Sequence, residues 1–174
     1  IDPFLFSEDN NDKKNYDLVF IPGVGSFSRA SELLNNNKYK NFIKNTLENS
    51  NIFGICLGMQ ILFTSGEENG KNNGLDIIKG NVKTLEKNEN KLILPMVGYQ
   101  AVNFLNDSYK NIGNFNSQKF YFVHSYAAFP ENESNLLANT KSQNIEYCAA
   151  VFKDRVFGSQ FQTKKSGKIG LEFI

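Results

Sequence analysis

The sequence predicts an α/β fold with a mostly parallel β-sheet that is extended by antiparallel strands. Two short apolar runs, Asp17–Ile21 and Asn51–Ile55, have the length and composition of strands buried in a parallel sheet. Each run leads into a glycine-containing turn and then into a segment of helical composition. This alternation of strand and helix is typical of α/β proteins. A length of 174 residues fits one domain with an ordinary core.

Three segments are predicted to be helical. Ser28–Asn49 has helical composition with a predicted break near Asn35–Asn37. Leu57–Phe63 turns helical directly after the second strand. A final helix begins at Ser166, whose hydroxyl makes it a suitable N-cap residue.

The middle of the chain predicts shorter strands separated by turns and loops. Glu67–Gly74 is polar and contains glycine, so it is predicted to be a loop. Tyr147–Phe152 and Val156–Phe161 predict a hairpin around Lys153–Arg155. The other strands are predicted at Leu75–Leu85, Lys91–Met96, Gln100–Leu105 and Lys119–Ala128.

Composition excludes several classes of function. Lys and Arg number 19 and Asp and Glu number 18, so no strong field favours nucleic acid or an anionic membrane. Cys56 and Cys148 lack metal-ligand spacing and the chain has one His, which disfavours a zinc site. Two cysteines make no disulfide framework, and the reducing cytoplasm is the expected location. No apolar run has the roughly 20 residues of a membrane span.

The segment Gly54–Gln60 predicts a nucleophile elbow centred on Cys56. A buried strand ends at Ile55 and a helix begins at Leu57, so Cys56 lies on a sharp turn where flanking glycines avoid collisions. A helix N-terminus lowers a cysteine pKa from about 8.5 toward roughly 3.5–7.5, and we expect this for Cys56. The Leu57 N–H is the natural oxyanion donor. The alternative is that Cys56 is a small buried hydrophobic residue.

A second loop, Pro22–Phe27, follows the first strand. Ligands bind beyond the carboxyl ends of strands in open α/β sheets, so this loop and the elbow are expected to meet. Exposed amides at Gly23–Gly25 would then complete an oxyanion hole. A phosphate-binding loop is the competing interpretation, but the third Gly of a dinucleotide motif and the Lys of a P-loop are missing. No cofactor is predicted.

Several segments together resemble a known family. The chain is similar to the class I glutamine amidotransferases, and specifically to the glutaminase subunit of imidazole glycerol phosphate synthase, from Asp17 to Ile174. The resemblance implies a flavodoxin-like three-layer fold. The segments that carry it are Pro22–Phe27, Gly54–Gln60, Gly74–Gly80, Phe120–Tyr126, Val156–Phe161 and Lys165–Gly167.

The resemblance also implies a reaction and a partner. Cys56 would attack the carboxamide of glutamine, release ammonia and form a glutamyl thioester that hydrolyses to glutamate. Ammonia would pass to a (β/α)₈-barrel cyclase that makes imidazole glycerol phosphate for histidine synthesis. Gln60 would help to bind glutamine. Main-chain groups that would hold the oxyanion or substrate belong to Val24, Gly25, Leu57, Ser125 and Tyr126.

The chain departs from the family at its catalytic triad. The family has His-Pro-Glu after the last strand, whereas this chain has Gln162 and Lys164 at the positions of the His and the Glu. Gln162 has no titratable group and cannot transfer a proton, so turnover is expected to be severely reduced. His124, the only histidine, lies in an aromatic strand and is expected to have another role. Lys164 is expected to face solvent.

Two further departures concern the partner-facing surface and the chain ends. Pro95–Tyr99 has an inserted residue and a Tyr where the family has Trp. The sequence begins without Met and stops inside a predicted helix. We therefore expect residues 1–174 to form a single amidotransferase domain that lacks the family's first strand and the end of its last helix.

Three other interpretations stay open at this point. The same kind of subunit can supply ammonia for amidination of a surface polysaccharide sugar. A catalytically impaired pseudo-amidotransferase would bind glutamine or a partner as a scaffold, and Gln162 and Lys164 favour it. A flavodoxin-like thiol protein also has an elbow cysteine, but it does not account for Gln60. Cys148 is expected to be a packed core residue.

Overall fold

The computed structural model describes residues 16–85, 93–105, 112–143 and 145–174. The helices in this part of the chain are α1 (Phe27–Leu34), α2 (Asn37–Asn49), α3 (Leu57–Gln60) and α4 (Gly167–Glu172). The strands are β1 (Leu18–Ile21), β2 (Asn51–Ile55), β3 (Phe63–Gly66), β4 (Asn72–Asn73), β5 (Ile78–Thr84), β6 (Met96–Phe104), β7 (Lys119–His124), β8 (Tyr126–Pro130), β9 (Leu136–Ser142), β10 (Ile145–Lys153) and β11 (Val156–Ser159).

The described strands form two sheets. The larger has the order β1-β2-β11-β10-β9-β6-β7, and the smaller has the order β4-β3-β5-β8. Parallel pairing joins β1 to β2, β2 to β11 and β3 to β5. The other pairs are antiparallel, including the predicted hairpin of β10 and β11. The α/β class, with parallel strands extended by antiparallel ones, is confirmed.

More strand pairs of the larger sheet are antiparallel than the prediction of a mostly parallel sheet implies. Side chains of β7 alternate between exposed or half-buried and buried positions. Such alternation is typical of antiparallel strands that have one face on the core, whereas parallel strands are usually covered on both faces.

Two apolar clusters cover the two faces of the larger sheet. Val156 belongs to the first cluster and Phe157 packs against the second, as expected for neighbouring residues of a strand. Phe27 of α1 and Ile43 of α2 lie in the first cluster. Ile169 of α4 packs against the second. Helices on both sides of a sheet give the predicted three layers.

The break between the first two helices is confirmed. Asn35 is the C-cap of α1, and the side chain of Asn36 caps α2 by accepting a hydrogen bond from the Lys38 N–H at 3.0 Å. Asparagine side chains compete well for main-chain groups, which explains why the helix ends and restarts here. No helix in the described ranges is long and apolar enough to cross a membrane.

Several predicted boundaries were wrong because distant pairing overrides local preference. The helix predicted over Leu57–Phe63 ends at Gln60, and Phe63 instead pairs with Ile78 of β5. The strand predicted over Lys119–Ala128 divides at Ser125 into β7 and β8, which join different sheets. The prediction over Gln100–Leu105 covers only the end of β6.

Three other elements also differ from expectation. The strand predicted at Lys91–Met96 falls partly outside the described residues, as does everything predicted for residues 1–15. β1 is parallel as predicted but not buried, because it pairs only with β2 among the described strands and leaves Phe20 43% exposed. β9 was missed altogether.

Candidate active site

Cys56 lies on the predicted elbow. It stands between β2 and α3 with φ 56° and ψ −112°, a conformation that non-glycine residues rarely adopt. A Cβ atom on Gly54 would lie 2.5 Å from the Gly58 carbonyl oxygen. A Cβ on Gly58 would lie 1.7 Å from the carbonyl oxygen of Ile21. The two glycines are therefore required by sterics, and the elbow is confirmed.

The glycine-containing loop lies against the elbow, as predicted from its position at the carboxyl end of a parallel strand. A Cβ on Gly23 would approach the main-chain nitrogen of Gly58 to 2.4 Å and the Leu57 side chain to 2.5 Å. Beyond this contact, Val24 is 91% exposed and Gly25 has φ 117°. The loop thus packs against the two residues that follow the turn, Leu57 and Gly58, while Val24 projects into solvent.

The Cys56 thiol is surrounded by hydrogen-bond donors, yet its pKa is raised. Burial raises the pKa, and the hydrogen bonds of the Leu57 N–H and of the Gln162 and Gln160 side chains lower it by less. The predicted fall in pKa was wrong, because loss of water around the thiolate outweighs these donors.

Gln162 stands beside the sulfur, where the sequence placed it. Its main-chain N–H donates to the Tyr121 carbonyl at 2.8 Å. The Ser166 hydroxyl donates to the Gln162 carbonyl at 2.7 Å and accepts from the Tyr121 N–H at 2.9 Å. Ser166 therefore fixes this segment to β7; it occupies the N-cap position of α4, but its side chain does not cap that helix.

Lys164 does not complete a triad. It begins the short 3₁₀ turn Lys164–Ser166 and its side chain is exposed, as predicted. A cation in solvent cannot orient a base as a buried carboxylate does.

Gln160 is a site residue that the sequence analysis missed. It is fully buried after the end of β11, and its Nε2 lies 3.7 Å from the Cys56 sulfur. Its Oε1 accepts from Gln60 Nε2 at 3.0 Å, and Gln60 Nε2 also donates to the Tyr126 carbonyl at 2.9 Å. Side chains two residues apart in an extended segment point to the same side. Since Gln162 was predicted to face the sulfur, the same spacing could have predicted that Gln160 faces it too.

The comparisons with known proteins agree with this geometry. The family model described as "Glutamine amidotransferase class-I" matches residues 2–162. The chain belongs to this family. The family model matches from residue 2, whereas the sequence motifs resemble the family only from Asp17 onward.

Curated relatives of this amidotransferase carry the name "Imidazole glycerol phosphate synthase subunit HisH". The relative from Bacillus subtilis is 36% identical over 99% of this chain and 82% of its own length. The relative from Chlorobaculum tepidum is 34% identical over 98% of this chain and 84% of its own.

Solved structures support the fold of the amidotransferase. A glutamine amidotransferase structure has a TM-score of 0.64 at 14% identity and covers 90% of this chain and 76% of that one. Another from Thermotoga maritima has a TM-score of 0.61 at 16% identity, covering 94% and 64%. At these identities the likeness shows the fold alone.

Ser125 and Tyr126 lie at the same end of the sheet as the elbow. The Ser125 carbonyl accepts from the Leu85 N–H at 3.1 Å. The Tyr126 carbonyl accepts from Gln60 and lies 2.8 Å from His124 Nδ1. The structure thus connects Tyr126 to Cys56 through Gln60 and Gln160.

His124 of the amidotransferase is a buried neutral histidine. Its ring packs edge-on against Tyr147, with ring centroids 5.1 Å apart, and Nε2 has no hydrogen-bond partner within the described residues. Burial lowers its pKa from 6.5 to about 4, more than the hydrogen bond to Tyr126 raises it. Its hydrogen bond goes to Tyr126, which disfavours His124 as the missing base.

We expect His124 to make the amidotransferase less stable in acid. The unfolded chain takes up this proton near pH 6.5 and the folded chain only near pH 4. The contribution is therefore present above pH 6.5 and is lost as the pH falls toward 4, by about 3 kcal/mol. Urea unfolding at pH 7, 6 and 5 measures it.

Replacement His124→Asn keeps an N–H donor near Tyr126 and removes the titration. Carboxylates titrate in both proteins, so the difference in pH slope between the two isolates His124. Equal slopes for the two proteins would contradict the prediction.

Cys148 is a core residue, as predicted. It is buried in β10, its sulfur donates to the Ala150 carbonyl at 3.6 Å, and burial raises its pKa to about 12. Both cysteines are free. Cys148 is therefore an internal control for the reactivity of Cys56.

A surface groove of about 680 Å³ lies away from this site. It surrounds Lys153–Arg155, at the opposite end of β11 from Ser159, whose carbonyl accepts from the Cys56 N–H. Its lining contains none of the elbow residues. The groove is thus not part of the thiol site.

Proposed function

We propose that this chain is the glutaminase subunit of an imidazole glycerol phosphate synthase, acting in histidine synthesis in the cytoplasm. The observation that supports it most directly is the strained Cys56 elbow with three donors around its sulfur. Relatives named as HisH at 34–36% identity support the same assignment. Its substrate would be glutamine, and a (β/α)₈-barrel cyclase would take the ammonia.

The proposed chemistry begins at the sulfur. The Cys56 thiolate attacks the carboxamide carbon, and the charge on the carboxamide oxygen is held by the Leu57 N–H and by loop amides at Val24 and Gly25. The carbon–nitrogen bond then breaks, ammonia leaves and a glutamyl thioester remains. Water hydrolyses the thioester to glutamate and returns the thiol.

The slow steps are those that need a proton. The Cys56 thiol, whose pKa is raised by burial, must lose a proton before it attacks. The leaving nitrogen must gain one, and the incoming water must lose one. The Gln162 carboxamide can donate a hydrogen bond but cannot exchange a proton at neutral pH. Solvent must supply the transfer, so we propose a slow enzyme whose thioester persists.

Substrate binding would use Gln60 in a restricted way. Both N–H bonds of its amide are already committed, to the Tyr126 carbonyl and to Gln160. Its remaining polar atom is Oε1, which only accepts hydrogen bonds. We propose that Oε1 receives an N–H of substrate glutamine, while main-chain groups at Ser125 and Tyr126 line the same site.

The cyclase would contact the outer face of β6. Val97 and Tyr99 there are 59% and 56% exposed, and the Tyr99 hydroxyl donates to the Lys165 carbonyl at 2.9 Å. Tyr99 thereby connects this face to the segment that carries Gln162. The change from the family's Trp to Tyr falls at this point.

A scaffold is the second candidate function. Gln162 at the sulfur and Lys164 in solvent favour it, because both replace groups that the reaction uses. A paralogous subunit that serves sugar amidination would have the same site and differ in its partner.

Mass spectrometry of the intact chain tests the proposal. We expect a diazoketone analogue of glutamine to label Cys56 stoichiometrically, and glutamine itself to leave a thioester that accumulates. Cys56→Ala should lose both adducts, and Cys148 should stay unlabelled.

A folded chain that forms neither adduct, alone or with its cyclase, would contradict the glutaminase assignment. The scaffold would then be the remaining candidate function. Ammonia release at the rate of a full-triad relative would instead contradict the proposed slow proton transfer.

A further inference from the structure

A chain of hydrogen bonds runs from β8 to the sulfur of Cys56. It passes from the Tyr126 carbonyl to Gln60 Nε2 at 2.9 Å, and from Gln60 Nε2 to Gln160 Oε1 at 3.0 Å. The last step joins Gln160 Nε2 to the Cys56 sulfur at 3.7 Å. Gln60 and Gln160 are buried, so water does not replace these contacts.

The direction of this chain is fixed at its start. A main-chain carbonyl only accepts hydrogen bonds, so the Gln60 atom that faces Tyr126 must be its NH₂ group. That group then faces Gln160, which must present its oxygen. Gln160 is left with its NH₂ toward sulfur. Turning either amide over would place two oxygens, or two NH₂ groups, against each other.

His124 strengthens the fixed end. Its Nδ1 lies 2.8 Å from the same carbonyl, so Nδ1 must carry the hydrogen. Two donors therefore converge on the Tyr126 carbonyl, which holds the carbonyl in place.

The elements around the sulfur offer few alternatives. β2, α3, β11 and the loop Pro22–Phe27 have no acidic or basic side chain in their sequences. Lys164 is exposed on its turn, and His124 reaches the site only through the Tyr126 carbonyl. Glu68 meets the loop at its far end, where its carboxylate accepts from the Phe27 N–H at 2.6 Å. Amide N–H groups are thus what these elements provide to stabilise a thiolate.

We propose that Gln160 is a catalytic residue that stabilises the Cys56 thiolate through its NH₂ group, and that Gln60 and Tyr126 are the positioning residues that aim it. The inference rests on the proposed function only in naming the thiolate as the nucleophile. The Gln160 NH₂ is an electrostatic partner that needs no proton transfer. It operates in this chain although Gln162 has replaced the base.

The pH profile of Cys56 alkylation by iodoacetamide tests the proposal without glutamine. Gln160→Met removes the donor at similar volume, and Gln160→Glu keeps the oxygen that meets Gln60. We expect the apparent pKa to rise by about one unit in Gln160→Met, which is a roughly tenfold slower reaction at pH 8. Gln160→Glu should raise the apparent pKa of Cys56 by more than Gln160→Met does, because the new carboxylate faces the thiolate.

Gln60→Met tests the aiming role without touching the sulfur. It should raise the apparent pKa of Cys56 by less than Gln160→Met does. The NH₂ group of Gln160 is still present, but its orientation is no longer fixed. Gln118→Glu, on an exposed amide, is the control for added charge and should leave the profile unchanged. If Gln160 and Gln60 had a purely structural role, their replacement would change the limiting rate of Cys56 alkylation at high pH and leave the midpoint of the pH profile unchanged.

The unaltered chain gives a test that does not depend on the folding of variants. In ¹⁵N-labelled protein, the side-chain amide resonance of Gln160 should shift with the midpoint of the Cys56 titration. An amide that does not respond, or a midpoint unmoved in a folded Gln160→Met, would overturn the proposal. Neither result depends on glutamine turnover, so failure here is distinct from failure of the glutaminase assignment.

Discussion

Replacing Gln162 with His and Lys164 with Glu together is expected to raise glutaminase turnover by roughly 10²–10⁴-fold. The replacements supply the proton carrier and the orienting carboxylate that the reaction needs. Position 162 already lies near the sulfur, since the Gln162 side chain is among the groups that lower the pKa of Cys56. Its main chain is fixed through Tyr121 and Ser166. The new imidazole therefore requires no rearrangement of the backbone.

Single variants show how much of the gain in turnover comes from position 162 and how much from position 164. Gln162→His alone should recover most of it, because the base transfers the proton and the carboxylate only orients it. Lys164→Glu alone should change little, and Gln162→Asn is the control for altered size without a base.

Steady-state ammonia release with the cyclase present measures the effect. Alkylation of Cys56 in each variant checks that the thiol is intact. A double variant with normal alkylation and turnover within a few fold of the parent would show that position 162 is not where the base acts.

Gly58→Ala is expected to lower the free energy of unfolding by about 4 kcal/mol or more. The added Cβ would lie 1.7 Å from the Ile21 carbonyl oxygen, a main-chain atom of β1. Neither partner is the flexible end of a side chain, so the contact is relieved only by moving the elbow away from β1. The same movement should displace Cys56 and remove its labelling by the glutamine analogue.

Urea unfolding and labelling together test this. Gly70→Ala is the matched control, because a Cβ there meets nothing within 4 Å and costs only the strain of φ 98°, about 1–3 kcal/mol. A Gly58→Ala protein as stable as Gly70→Ala, with full labelling of Cys56, would contradict the steric account of the elbow.

Features of the site that depend on neighbouring residues could be predicted from the sequence. The elbow needs only a strand, a turn with glycines at 54 and 58, and a helix, all within seven positions. The helix break at Asn35–Asn37 and the hairpin at Lys153–Arg155 are similarly local. The loop at Gly23 followed from the rule that parallel strands present their carboxyl ends at one edge.

Features that depend on distant pairing could not be predicted. The division at Ser125 arises because β7 pairs with β6 while β8 pairs with β5 in the other sheet. β9 also pairs with the distant β6, in addition to its neighbour β10, and no local pattern specifies such a partner. The pKa of Cys56 had the wrong predicted direction because a helix N-terminus is a local feature, while burial sums over the whole fold.

The sequence by itself determined the turn that carries Cys56, the loop beside it, and the presence of Gln162 and Lys164 where the family has His and Glu. Only the tertiary structure decided which groups meet the sulfur. Gln60, Tyr126 and Gln160 are separated by 66 and 34 residues along the chain, and folding brings their amides into one directed line. Their order follows from which atoms can donate and which can only accept, and that becomes defined once the fold has placed them together.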